Sequence, residues 1–167
     1  MAANIFERLI EDHDKHRALI DRIKDTSGDS DERRSLFEAF KIDASAHANA
    51  EEETLYVTIM AISDTRQDAQ HSVKEHADIG MMFVELDEME MSSSGWLTRF
   101  KTLAEEYTHH IDEEEGEKFP KAQEVIDDAK AVELRDEFNR RKPEEVERVE
   151  AKEDVPEIKK AIEEEAE

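Results

Sequence analysis

Thr108-His109-His110-Ile111-Asp112-Glu113-Glu114-Glu115-Gly116-Glu117-Lys118-Phe119-Pro120 is the stretch whose reading decides the fold. On a helix, positions i and i+4 share a face, so His110 and Glu114 set an imidazole beside a carboxylate, a pair able to grip a metal. Alone the pair says little, because 46 of the 167 residues are acidic. Its weight comes from an echo upstream. His47-Ala48-Asn49-Ala50-Glu51-Glu52-Glu53-Thr54-Leu55-Tyr56 repeats the frame: His, then Glu at +4 and +5, then an aromatic at +9, Tyr56 matching Phe119. The same offset of 63 residues carries His13 onto His76, each preceded by an acid, Asp12 and Glu75. The chain reads as two halves, each with one His followed by one His-x-x-x-Glu.

Working outward, Trp96, Phe100, Leu103, Tyr107, His110 and Glu114 step along one helix face at spacings of three and four. That stripe selects His110 over His109, which lies about 100° away. Leu36, Phe40, Ala44, His47, Glu51, Leu55 and Ile59 form a second such face, running up to Ser63-Asp64. A third, from about residue 65 to 91, carries Ala69, Val73, His76, Ile79, Phe83 and Leu86, with His71 about 140° off it. The first helix starts after Asn4 as cap and holds Phe6, Leu9, Ile10, His13, Ile20 and Ile23, with His16 close to its stripe. Phe119-Pro120 closes or kinks the fourth helix, and a further helix from about 121 to 141 offers Val125, Ile126, Ala129, Leu134 and Phe138. Residues 143–167, rich in acid with scattered Val and Ile, read as a solvated tail, loosely helical at best.

The expected fold is therefore all-α: an antiparallel up-and-down four-helix bundle over residues 1–142, with an additional C-terminal helix and an acidic tail over 143–167. Composition agrees. With 41% charged residues, four Gly and three Pro, the chain favours long polar-faced helices over a sandwich or barrel. A formal net charge of −23 repels phosphate backbones and anionic headgroups, so nucleic acid and membrane are poor partners and cations good ones. With no Cys there are no disulfides, thiolate sites or Fe–S clusters, which leaves His and carboxylate as the strong metal ligands. No signal-like leader or membrane-length apolar run appears, and a cytoplasmic protein is the expectation.

Each of the four stripes is interrupted by one inward His, and two of them add an inward Glu. Four imidazoles and two carboxylates on a twofold repeat suit two metal ions, with the two Glu bridging. The alternative is a set of core histidines hydrogen-bonded to acids, which for any single His is the better reading. Taken together, six uncompensated burials weigh against it. His16, His71 and His109 read as surface or outer residues. Tyr107, one turn before His110, reads as a core residue, with a hydroxyl that could reach a group bound at the metals.

Asp12-His13, His47-x-x-x-Glu51-Glu52 with Leu55-Tyr56, Glu75-His76, and His110-x-x-x-Glu114-Glu115 with Phe119-Pro120 resemble the hemerythrin-like (HHE cation-binding) proteins, over about residues 5 to 141. The resemblance implies a non-haem di-iron centre with an oxo or hydroxo bridge: His13 and His47 on one iron, His76 and His110 on the other, Glu51 and Glu114 bridging. Mn or Zn also suits such ligands. Each iron is then left a position for O2, peroxide or nitric oxide. Oxygen-carrying hemerythrins have a further His four residues before the third-helix ligand, where this chain has Ser72, so simple oxygen carriage is not implied. The expected function is binding of, or reaction with, a small oxidant for sensing, buffering or detoxification, with a separate protein partner for any signal. The rivals are a catalase- or peroxidase-like di-iron enzyme and an acidic helical interaction module with a structural metal.

Overall fold

The computed structural model describes residues 1–153, which contain helices and turns and, among the described residues, no strand. The helices are α1 (Ile5–Lys24), α2 (Asp31–Glu51), α3 (Val57–Met60), α4 (Arg66–Glu88), α5 (Ser94–Glu113), α6 (Phe119–Val125) and α7 (Asp128–Glu153). Two π-helical turns, Glu52–Tyr56 and Glu114–Lys118, join α2 to α3 and α5 to α6, so each of these pairs runs on as one rod. α1 packs on α2 and α5, α4 packs on α5 and α2, and α7 lies across α1 and α2. The expected four-helix bundle with an extra C-terminal helix is the observed fold.

The starts of α1 and α2 follow the side chains available to cap them. Asn4 Oδ1 accepts from the Glu7 N–H at 3.0 Å, and Ser30 Oγ from Arg33 N–H at 3.1 Å. Each satisfies one of the donors that a first turn leaves unpaired. Asn4→Ala is expected to lower stability by about 1 kcal/mol in a thermal or urea melt, without touching the bundle interior. Between α1 and α2 the chain turns at Gly28, the one described residue with positive φ (62°), where a side chain is strained.

The apolar interior falls into two clusters. One gathers Ile20, Ile23, Phe37, Phe40, Phe83, Trp96, Phe100 and Leu103; the other gathers Ile5, Leu9, Leu55, Tyr56, Ile59, Phe119, Leu134 and Phe138. Along every main helix a histidine sits between them: His13 after Leu9, His47 after Ala44, His76 before Ile79, His110 after Tyr107. A polar layer is thus sealed at both ends by hydrocarbon, which excludes water and raises the strength of every electrostatic contact inside.

Two sequence expectations need correction. The chain does not stop being helical at Phe119-Pro120: Pro120 is the second residue of α6, directly after the π-helical turn, and the break comes at Ile126 and Asp127. Nor does the tail begin at residue 143. α7 continues through Pro143 to Glu153, because tertiary contacts on both sides of the proline hold it: Lys142 and Glu145 are buried, and Asn49 donates to Glu145 Oε2 at 3.2 Å. The remainder of the expected tail, 154–167, lies outside the described residues. Among the described residues no helix is long and apolar enough to cross a membrane.

Candidate metal centre

His13, His47, Glu51, His76, His110 and Glu114 all point into the polar layer. The side chains of both Glu and of His13 are 0% exposed, and none of the other three exceeds 8%. The two carboxylates divide their oxygens. Glu51 turns Oε2 to His47 Nε2 (3.6 Å) and Oε1 to His76 Nε2 (3.2 Å). Glu114 turns Oε2 to His13 Nε2 (3.3 Å) and Oε1 to His110 Nε2 (2.9 Å). His13 packs against His47 with ring centroids 5.1 Å apart, and His76 against His110 at 4.8 Å. Two groups of ligand atoms result, one from His13, His47 and Glu51, the other from Glu51, His76, His110 and Glu114, each within 4.8 Å.

The test of fit is hydrogen bonding. His13 Nε2, His47 Nε2, both oxygens of Glu51 and Glu114 Oε2 are buried with no hydrogen-bond partner. Native interiors rarely leave such an atom unsatisfied, and these five belong to the residues of the two ligand groups, where bound cations would satisfy them. The donor set, imidazole and carboxylate without thiolate, suits Fe, Mn or Zn.

The sequence pattern of the hemerythrin HHE cation-binding domain matches residues 4–122. The chain belongs to that family. A crystal structure of a hemerythrin HHE cation-binding domain-containing protein from Mycobacterium kansasii shares the fold, with a TM-score of 0.80 at 24% identity over 93% of this chain and 94% of that one. No curated protein matches the chain in sequence.

In this HHE chain the outer nitrogens of the histidines meet carboxylates that obey the 63-residue repeat. His47 Nδ1 donates to Asp12 Oδ2 (2.8 Å), and its counterpart His110 Nδ1 to Glu75 Oε1 (3.1 Å). His13 Nδ1 donates to Glu115 Oε2 (3.0 Å), while the counterpart pair, His76 Nδ1 and Glu52 Oε2, is wider at 3.6 Å. Each of these acids is the sequence neighbour of an inward residue. An acid that holds Nδ1–H leaves the Nε2 lone pair aimed at the centre.

Electrostatics follow from this packing. Burial pushes the His13 imidazole down, but the facing carboxylate of Glu114 and the hydrogen bond to Glu115 more than reverse that and lift it to about 9. Burial is likewise overcome at His110, chiefly by the Glu114 charge, again to about 9. Glu114 is held well below the usual carboxylate range despite burial, by the charge and close contact of His110 and by the facing imidazoles of His13 and His76. Within this chain alone, imidazolium protons supply the positive charge that the two buried carboxylates require.

Three placements go beyond or against the sequence reading. The Tyr56 hydroxyl donates to Glu114 Oε1 at 2.6 Å, so this tyrosine steadies a carboxylate from the other half. His16 is not a surface residue: it is fully buried, with Nε2 to Asp43 Oδ2 at 2.5 Å and Nδ1 accepting from the Tyr107 hydroxyl at 2.5 Å. Burial before all else holds its imidazole down at about 4 and neutral. Tyr107 therefore spends its proton on His16. His71 and His109 are exposed, as expected.

Proposed function

We propose that this HHE protein holds two metal ions, iron by its family, and binds or reacts with a small oxidant such as O2, peroxide or nitric oxide. In this reading His13 and His47 hold one ion, His76 and His110 the other, and Glu51 and Glu114 span both. The observation that carries it is the division of the two buried carboxylates, each giving one oxygen to each histidine pair. Bound as a pair, iron supplies a one- or two-electron couple beside an exchangeable ligand position.

The protein's own residues set what reaches that position. A cavity of about 40 Å³ opens between α2 and α4 and is lined by Ala44, His47, His76, Gly80, Tyr107 and His110, among others. It has room for a molecule of a few atoms and lies far below the roughly 300 Å³ of organic-ligand pockets. Ile79 and Phe83 make its wall mostly apolar, which suits diatomics and peroxide over charged substrates.

Protein expressed with iron is expected to carry close to two irons per chain, with visible absorption that changes on adding peroxide or nitric oxide to the reduced form. Sustained peroxide consumption, lost in His110→Ala, marks an enzyme; a stoichiometric change alone marks a binder or sensor. One zinc per chain, or no metal, overturns the reading. Gly80 has no atom within 4 Å of where a side chain would begin. Gly80→Leu is therefore expected to fill the cavity mouth, slowing the spectral response in stopped flow while the metal count stays at two.

A further inference from the structure

Asp12 and Glu75 each orient one histidine, and each carries charge away from bulk water, with side chains 5% and 18% exposed. A carboxylate so placed keeps its position only if a cation or further donors hold it. A lysine does so in both halves. Lys142 Nζ of α7 lies 2.9 Å from Asp12 Oδ2, the same oxygen that receives the His47 N–H, and 3.0 Å from Asp43 Oδ1. Arg8 pairs with the other Asp12 oxygen at 2.7 Å. Lys118 Nζ, in the second π-helical turn, donates to Ser72 Oγ at 2.7 Å and lies 3.3 Å from Glu75 Oε1, the oxygen that receives the His110 N–H. The lysine side chains are 10% and 4% exposed, and lysine is almost never buried unless it is paired.

These lysines break the repeat that relates everything else. Sixty-three residues before Lys118 stands Leu55, and 63 before Lys142 stands Ile79. Lys142 also lies beyond residues 4–122, on a helix that follows the matched domain. Burial pushes the Asp12 carboxyl up, and His47 and Lys142 more than reverse this, holding it well below its usual range. Two unrelated parts of the chain have thus each delivered a buried ammonium to the equivalent orienting acid.

We infer that Lys142 and Lys118 are positioning residues of the metal centre, one for each half: Lys142 fixes His47 through Asp12, and Lys118 fixes His110 through Glu75. The inference rests on the two-metal reading. It makes α7 a part of the centre rather than an appendage to the bundle. Loss of Lys142 leaves Arg8 on one oxygen of Asp12 and nothing in its place on the other, so the His47 ring loses its fixed angle to the centre.

The test uses the full metal-free chain titrated with Co2+ or Zn2+ alone, followed by calorimetry and, for Co2+, by its visible bands. Two ions are expected to bind. Lys142→Met is expected to weaken one of the two ~10- to 100-fold, the range for loss of an orienting partner, and to leave the other unchanged. Lys118→Met is expected to weaken the other ion instead. In a His47→Ala background, which already lacks the first site, Lys142→Met then has no further effect while Lys118→Met still does. Lys142→Arg is expected to restore most of the loss, and Arg148→Met, on the same helix but paired with Glu145, to bind both ions normally. Unchanged affinities in Lys142→Met, or equal weakening of both ions, overturn the inference. So does failure of both Lys142→Met and Lys142→Gln to fold without metal, which places the lysine in the fold alone. Fewer than two ions on the unmutated chain is instead a failure of the two-metal reading, and reactivity toward oxidants plays no part in any arm.

Discussion

Under the proposed two-metal reading, Glu114→Gln is expected to strip both ions from the protein, whereas His13→Ala weakens mainly one. Glu114 is fully buried, with Oε2 toward His13 and Oε1 toward His110 and the Tyr56 hydroxyl. An amide of the same shape keeps one acceptor oxygen and turns an NH2 toward the other histidine pair, so one ion meets donor hydrogens. The shared negative charge that lets two cations lie close together is lost as well. Loss of an orienting partner alone costs ~10- to 100-fold in affinity, so loss of a shared ligand is expected to exceed ~100-fold at both steps. Metal content after dialysis, counted by elemental analysis, should fall from about two per chain to well below one, with helical circular dichroism retained because the volume is unchanged. A Glu114→Gln protein that keeps two ions would sink the bridging role.

The six inward residues were legible in the sequence because each interrupts an apolar stripe and because the interruptions repeat at one offset. Periodicity alone chose His110 over His109 and His76 over His71. The outer acids were half legible: Asp12 and Glu75 stood out as acids before a histidine, but a linear pattern does not say that each reaches the histidine of the neighbouring helix, as in Asp12 to His47. The π-helical turns left no signature in a search at 3.6 residues per turn. Such a turn bonds i to i+5 and so brings residues five apart together, which is how Glu51 with Tyr56, and Glu114 with Phe119, all come to be buried. The Thr54 hydroxyl, inside the wider turn at Glu52–Tyr56, donates back to the Ala50 carbonyl at the end of α2 at 2.7 Å. Pro143 misled for the opposite reason: a local helix breaker is overridden when Lys142 and Glu145 on either side are fixed by other helices. His16 could be read only as surface or outer, because the partners that bury it beside His47, Asp43 and Tyr107, lie 27 and 91 residues away.

The stability of the metal-free protein is expected to be greatest near pH 6.5 and to fall on both sides. His13 and His110, each lifted to about 9, bind protons more tightly folded than unfolded, where an imidazole titrates near 6.5. A group raised in this way contributes its full stabilisation below pH 6.5 and loses it as the pH climbs through 9. By that linkage each contributes on the order of 3 kcal/mol, shared through Glu114 and therefore less than additive. A combined loss of even half the sum lowers the melting temperature by roughly 10 °C for a chain of this length. On the acid side His16, held down at about 4, works in the other sense: its contribution is present above pH 6.5 and is lost as the pH falls through 4. Metal removes the alkaline limb, because a bound cation replaces the imidazolium protons between the carboxylates. The metal-loaded protein should therefore hold its melting temperature from pH 6.5 to 9 while the metal-free protein does not. Calorimetric titrations with Zn2+ at pH 7, repeated in buffers of different ionisation enthalpy, should show protons released on binding, and that release should fade above pH 9. A metal-free melting temperature that stays flat or rises over the same interval would mean that the buried carboxylates are not held by imidazolium protons.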